Sequence, residues 1–348
     1  MNRAHMGPDA ASLSGLLGRR VSLRHRVIEA DRRPMRSDAV GELIEVGPVT
    51  VVVRTRNGSV RVRRDDVVAV REIPPPPRKR PSWAAVSRLE RICADGWPAV
   101  TQRPLGQWRL RAAGGFTGRA NSALAVGDPH RSVPAALRAV VEFAEEHELA
   151  PRVQVPEGSP WHRAIAEDGW VTAEDGWATE EDGWATEETH PAGAQVEVLV
   201  ADLRALAEHP ALAGSSIARL TVAGRESWRA AAVEPVTTDQ EHVLTAPALP
   251  HLSFVLAHVS DQLAGTSRLA VLDEHLYLTR MSVTEAHRRR GLAKAMMARA
   301  SGWGLERGAR WCVLQVAAHN AAALSLYRRL GFTPHHRCLY LRPPESLS

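Results

Sequence analysis

Met281-Ser282-Val283-Thr284-Glu285-Ala286-His287-Arg288-Arg289-Arg290-Gly291-Leu292-Ala293-Lys294-Ala295-Met296 is the stretch on which the fold turns. It starts at the end of an apolar run, Leu276 to Val283, that reads as a long strand. It ends in Gly291 to Arg307, which reads as a helix. The N–H groups that open a helix lack intrahelical partners, and the helix dipole adds partial positive charge there. A pyrophosphate fits such a place. Gly291 lets the backbone approach an anion closely, Ala293 keeps the first turn uncrowded, and Arg288, Arg289 and Arg290 offer forked donors. In a chain so rich in Arg and Ala, Arg-x-x-Gly-x-Ala arises by chance on the order of once, and the plain alternative is a solvated helix entry.

A second stretch changes that balance. Asn320-Ala321-Ala322-Ala323-Leu324-Ser325-Leu326-Tyr327-Arg328-Arg329-Leu330-Gly331-Phe332 reads as a helix and its exit. Between it and Gly291 there is room for one helix and the strand Trp311 to Val316. In order and spacing the two stretches resemble the central and second motifs of the GNAT superfamily of N-acetyltransferases. The second is often written N-x-x-A-x-x-x-Y-x-x-x-G-F.

The resemblance implies acetyl-CoA as cosubstrate, no metal, and a role for each matching residue. Met281, Ser282 and Val283 would form a strand end that splays from its neighbour and pairs with pantetheine. Arg288, Arg289, Arg290, Gly291, Leu292, Ala293 and Lys294 would wrap the pyrophosphate, and Asn320 would hydrogen-bond the cofactor or the helix start. Tyr327, two helical turns beyond Asn320 and so on nearly the same face, would protonate the departing thiolate. The alternative for Tyr327 is a core residue packed under Leu330 and Phe332. A strand N–H near Met281 to Val283 would stabilise the oxyanion.

The acceptor must be a neutral amine, and an alkyl ammonium with a pKa of about 10 is mostly protonated at neutral pH, so a base is required. Some family members carry a Glu on this strand. Here that position holds Tyr277, with Glu274 and His275 nearby. Each is also readable as an ordinary strand-end residue, and the base is left unassigned.

The middle of the chain can be laid beside the last part. Ala120 to Gly127 stands where Leu276 to Val283 does, and the helix from Val133 where the helix from Gly291 does. Arg152 to Val155 corresponds to Trp311 to Val316, and Gly169-Trp170 to Gly331-Phe332. Yet its loop is Asp128-Pro129-His130-Arg131-Ser132-Val133-Pro134, without glycine, with an Asp that repels phosphate and a Pro that removes an N–H donor. A degenerate first GNAT-like copy is expected, in an arrangement that resembles actinobacterial tandem members of the superfamily. The 160–166 helix of this copy carries no Tyr.

Ahead of both copies, residues 13 to 73 alternate in period two. Arg20 to Arg24, Val40 to Ile44, Thr50 to Arg54 and Val60 to Arg63 read as strands, with Asn57-Gly58 as a hairpin turn. This resembles Tudor-like and related small closed barrels. Arg54, Arg56, Arg61, Arg63 and Arg64 form either a solvated strand face or a basic stripe for nucleic acid. Residues 74–81, with four consecutive prolines, read as a stiff linker. The expected organisation is a barrel at 13–73, a degenerate GNAT-like domain at 82–203, and a catalytic GNAT domain at 213–348. Its fold class is α+β or α/β, a mixed sheet flanked by helices.

AEDGWVT, AEDGWAT and EEDGWAT follow one another between Ala166 and Glu188. Gly and Trp in every unit argue against a coiled coil, so residues 167–188 read as a lengthened surface loop, with a docking role as the alternative. Cys93, Cys312 and Cys338 form neither a CxxC pair nor a disulfide framework. The 15 histidines show no metal-ligand spacing, and His335-His336 reads as a surface turn. There is no apolar run long enough to span a bilayer and no secretory layout at the N-terminus, so a cytoplasmic location is expected. The net charge of +5 over 348 residues permits an anionic ligand without requiring nucleic acid. The leading expectation is acetyl transfer to a small-molecule amine by direct attack. The alternatives are a protein lysine acetyltransferase with barrel-mediated docking, and a non-catalytic CoA-sensing or nucleic-acid-associated module.

Overall fold

The computed structural model describes residues 13–27, 35–55, 57–74, 80–173, 195–212, 218–231 and 237–344. Arg56 of the basic stripe, most of the proline linker, and the heptad copies beyond Ala173 lie outside the described residues. The chain divides into two compact units, 1–79 and 80–348.

The first unit is a five-stranded antiparallel sheet: β1 (Arg20–Val27), β2 (Met35–Val46), β3 (Thr50–Thr55), β4 (Gly58–Arg63) and β5 (Val67–Glu72), in the order β4-β3-β2-β1-β5. Period-two alternation sends Val21, Leu23, Leu43, Val51 and Val53 into a fully buried core. The alternate positions face solvent, where Arg54 pairs with Glu42, Arg61 with Glu45 and Arg63 with Asp65. Such exposed pairs add little stability. They do neutralise much of the basic stripe, which favours the solvated-face reading of these arginines.

The second unit is built on one mixed sheet. Its middle region supplies α1 (Trp83–Gly96), β6 (Thr101–Leu105), β7 (Trp108–Ala112), β8 (Ala123–Leu124), α2 (Val133–Glu146), β9 (Val153–Pro156), α3 (Pro160–Glu167), β10 (Val171–Thr172) and β11 (Gln195–Asp202). Ser82 caps α1 by accepting from the Ala85 N–H. The last region supplies α4 (Leu203–Ala207), β12 (Arg219–Ala223), α5 (Arg225–Ala231), α6 (Thr238–Thr245), β13 (Leu252–Val259), β14 (Gln262–Leu272), β15 (His275–Val283), α7 (Leu292–Leu305), β16 (Trp311–Ala317), α8 (Ala321–Arg329) and β17 (Thr333–Arg342).

Both regions contain a parallel strand pair joined through a helix: β8–α2–β9 and β15–α7–β16. In both, the following helix exits through a left-handed glycine, Gly169 (φ 92°) or Gly331 (φ 89°), and a buried aromatic follows, Trp170 or Phe332. The strand order, β12-β13-β14-β15-β16-β11-β17-β9-β8-β7-β6, interleaves the two regions. The middle region's β11 lies between β16 and β17, and the last region's β17 lies between β11 and β9.

Two buried clusters cover opposite faces of the sheet around β15 and β16. On one face α7 and α8 pack Met296, Met297, Trp303 and Tyr327 over Leu276, Leu278, Leu314 and Val316. On the other, α1 and the segment after β7 pack Leu89, Trp97 and Phe116 over Tyr277 and Val313.

Candidate active site

β15 and β16 pair only at His275–Tyr277 with Trp311–Val313. Beyond that point they diverge, and a narrow cleft of ≈ 40 Å³ opens between them, lined by Thr279, Arg280, Met281, Gln315, Asn320 and Tyr327. A bulge in β15 shapes its edge. Arg268 of β14 pairs with Thr279 and Thr266 with Ser282, so Arg280 and Met281 together face Ser267, and Arg280 has φ 48°. The side chains of Met281 and Val283 go to the core under α7, and Ser282 is half-buried.

The loop after β15 runs through Arg289 (φ 62°) to Gly291 (φ 86°) before α7 begins. A left-handed backbone suits Gly291 and is strained at Arg289. Among the described residues, no main-chain carbonyl accepts from the N–H groups of Arg289 through Lys294. Successive N–H groups around left-handed residues make an anion-binding concavity, and the start of α7 adds its dipole. Against them lies a pocket of ≈ 440 Å³ lined by Val283, Arg289, Gly291, Lys294, Ser325 and Arg329, with Arg288, Leu292 and Ala293 also on its wall. The Arg288 Nε donates back to the Val283 carbonyl at 3.2 Å, bracing the loop on its strand.

Asn320 caps α8, accepting from the Ala323 N–H at 3.0 Å. Tyr327 lies on the same helix face and is largely buried, its ring edge-on to Phe332 at 5.5 Å. It packs in the core and also lines the cleft. The two are compatible. The pocket at the loop and the cleft lie side by side at β15, one at its end and the other along its edge.

The three base candidates fall in different places. Glu274 and His275 occupy the tight turn that starts β15, where Glu274 pairs with Arg310 at 3.8 Å and His275 Nδ1 meets the Asp273 carbonyl. From Glu274 to Arg280 the extended strand covers about 20 Å, so that end of β15 is remote from the bulge. Tyr277 is fully buried, its hydroxyl donating to Gln315 Oε1 at 2.8 Å. Burial pushes its phenol pKa up, an environment that keeps it neutral.

Gln315 leads to Glu90, a residue not singled out from the sequence. Its Nε2 points to Glu90 Oε1 at 3.4 Å, and His336 Nε2 and Gln154 Nε2 approach the same carboxylate at 3.0 and 2.7 Å. Burial alone would push Glu90 up, but the hydrogen bond and charge of His336, with help from Cys338 and Arg111, hold it below the usual carboxylate range. His335-His336 is therefore no surface turn. Both lie in β17, and strand alternation together with Glu90 draws the His336 side chain inside. The readable signal was Glu90 itself, a carboxylate among Val86, Leu89 and Cys93 on the apolar face of α1. The ligating atoms of Glu90, His336 and Cys338 all lie within 4.8 Å of one another. The three cysteines are free and buried. No helix among the described residues is long and apolar enough to cross a membrane.

A parallel strand pair that splays beside an open helix N-terminus, with a bulge on one strand, is the architecture of the GNAT acyltransferases. Residues 84–341 match the family described as "Probable histone acetyltransferase Rv0428c C-terminal", and this chain belongs to it. Residues 16–71 match the model described as "Rv0428c N-terminal Sm-like domain", which defines the kind of small barrel. Over 347 residues the chain is 28% identical to the probable histone acetyltransferase Rv0428c of Mycobacterium tuberculosis, covering 95% of this chain and 96% of that protein. It is 25% identical over 265 residues to the uncharacterized N-acetyltransferase YobR of Bacillus subtilis, covering 72% and 97% respectively. A solved GCN5-related N-acetyltransferase from Kribbella flavida shares the fold, with a TM-score of 0.54, 20% identity, and coverage of 74% of this chain and 95% of that one.

Proposed function

We propose that this protein is an acetyl-CoA-dependent N-acetyltransferase whose acceptor is a small-molecule amine. The observation that carries the reading is the adjacency of the anion-ready loop pocket and the β15–β16 cleft with Tyr327 in its wall.

In this reading the N–H groups of Arg289 to Lys294 hold the pyrophosphate, and Arg288 keeps the loop on its strand. The main-chain groups of Met281, Ser282 and Val283 pair with the pantetheine arm. N–H groups that the bulge withdraws from the β14 ladder face the thioester oxygen. Acetyl-CoA supplies an activated acyl group. The amine nitrogen forms the new C–N bond, the C–S bond breaks, the Tyr327 hydroxyl gives its proton to the departing sulfur, and the proton that the nitrogen loses passes to solvent, from which the Tyr327 phenolate is reprotonated. Asn320 orders the helix that carries Tyr327. Tyr277, neutral and tied to Gln315, positions the cleft wall and is not assigned as the base.

The relative's name supports a second reading, acetylation of protein lysines. Thiol release from acetyl-CoA, measured against small amines and lysine peptides with wild type and Tyr327→Phe, tests both. The proposal expects turnover with a small amine that drops in Tyr327→Phe. Turnover confined to peptides would favour the second reading. Tight CoA binding with no turnover of any amine would leave only a CoA-binding module.

A further inference from the structure

Resting on the acetyltransferase reading, a further question is what kind of amine reaches the cleft. The loop pocket lies on the α7–α8 face of the sheet, and α1 and α6 cover the opposite face. That face is unusual in its charge. Arg268, on β14, is 1% exposed. Its Nε donates to the Leu244 carbonyl at 2.7 Å and its Nη1 to the Gly96 carbonyl at 2.8 Å, which ties the ends of α6 and α1 together. Its Nη2 is buried and, among the described residues, has no hydrogen-bond partner.

Two more guanidiniums converge here. Those of Arg119 and Arg268 lie 4.3 and 4.9 Å from the Trp97 ring centre, and that of Arg280 lies 5.7 Å from the centre of Phe116. Trp97 and Phe116 stack on one another at 6.2 Å. Burial pushes Arg268 down to about 9, and after the opposing influence of Tyr277 the strongest neighbours are Arg119, Arg225 and Arg280, all cations. Arg225 is committed to the carbonyls of Thr245, Ala246 and Leu249.

Two helix C-termini account for one edge of Arg268, and aromatic faces offset part of the remaining charge. Neither gives Nη2 an acceptor, and a buried donor without one is destabilising. An anion would answer it. Arg280 belongs both to this cluster and to the cleft wall beside Tyr327, so an anion held here lies within a side chain's length of the transfer site. Arg119 and Arg280 retain partial exposure, and an entering ligand meets them first.

We propose that Arg268 Nη2, with Arg119 and Arg280, forms an anion subsite for the acceptor, which therefore carries a carboxylate or phosphate close to its nucleophilic amine.

The test uses the full chain saturated with CoA, so that the phosphate loop is already filled. β-Alanine and 2-aminoethyl phosphate are titrated by calorimetry beside the neutral amines β-alaninamide and 2-methoxyethylamine. The same four are then run in the thiol-release assay. The expected result is at least tenfold tighter binding of one anionic amine than of its neutral partner. Arg119→Gln, at a partly exposed position outside the cleft wall, should remove most of that preference and leave the neutral amines unchanged, and Arg280→Gln should remove the preference as well. The better anionic probe tells carboxylate from phosphate. Equal binding of charged and neutral partners, binding of neither, or a preference that survives both variants would overturn the subsite. So would a basic lysine peptide outcompeting the anionic amines. Equal turnover of both partners removes the subsite and leaves acetyl transfer standing. A charge preference in binding with no turnover keeps the subsite and removes acetyl transfer.

Discussion

The two strand–loop–helix units, β8 to α2 and β15 to α7, run along the same path and differ at the loop. In the middle region the Asp128 carboxylate accepts from the His130 N–H at 2.7 Å, and the Asp128 N–H donates to Gln107. The loop packs against the β6–β7 turn so closely that a Cβ at Gly106 would sit 2.3 Å from Pro129. In the last region the corresponding N–H groups are left open toward a pocket. The lesson is that a ligand loop is defined by what its donors are not already doing. The middle loop has satisfied itself, and it gains rigidity where the other keeps a site.

The largest expected effect tests the cleft of the last region. Tyr327→Phe should lower kcat about 100- to 1000-fold, in the range of a lost general acid, with the acetyl-CoA KM within about twofold. An unchanged kcat would reduce Tyr327 to a packing residue. Next, Gly291→Asp puts a side chain at φ 86° and a carboxylate where phosphate belongs, imitating the middle loop. CoA affinity by calorimetry should fall about 100-fold, equivalent to about 2.7 kcal/mol.

A smaller effect concerns the joint between the regions. Glu90→Gln weakens the contacts from α1 to β17, and should cost about 2 kcal/mol in denaturant unfolding. Glu90 has a folded pKa below its usual 4.5, so its contribution is present above pH 4.5 and is lost as pH falls through the folded value. His335 is pushed down to about 4 by burial and by His336. Its contribution is present above pH 6.5 and is lost as pH falls from there to about 4. Both predict wild-type stability declining on the acid side, with a shallower decline below pH 4.5 in Glu90→Gln. The smallest effect is expected at the middle loop itself. Asp128→Gly with Pro134→Ala should leave CoA binding at one per chain, and a second equivalent in calorimetry would revive that loop as a site.

Much of the architecture was legible because the period of the apolar pattern was clean. The strands read at Leu276 to Val283 and Trp311 to Val316 differ from β15 and β16 by a single end residue each. Thr101 to Leu105 escaped notice because β6 is an exposed edge strand with a proline and almost no apolar signal. Ala120 to Gly127, set opposite the strand at Leu276 to Val283, shrinks to β8. The buried Asn121 accepts from the N–H groups of Ala113 and Gly115 and donates to Phe116 and Thr117, which folds that segment into a turn. α6 was missed although Thr237 and Gln240 form a capping box that was there to be read.

At the site, the local parts were readable and the distant ones were not. The loop, the capping Asn320 and Tyr327 could be placed because each lies within one strand–helix unit. The sequence alone therefore determined this local geometry, because a left-handed glycine, an open helix start and a two-turn spacing are short-range properties. Only the tertiary structure decided the rest. Interleaving of β11 and β17 joins the regions in one sheet, which brings Glu90 to His336 and Trp97 to Arg268 across more than a hundred residues of chain. No local pattern encodes such meetings. They depend on which face of which strand a buried charge is folded against.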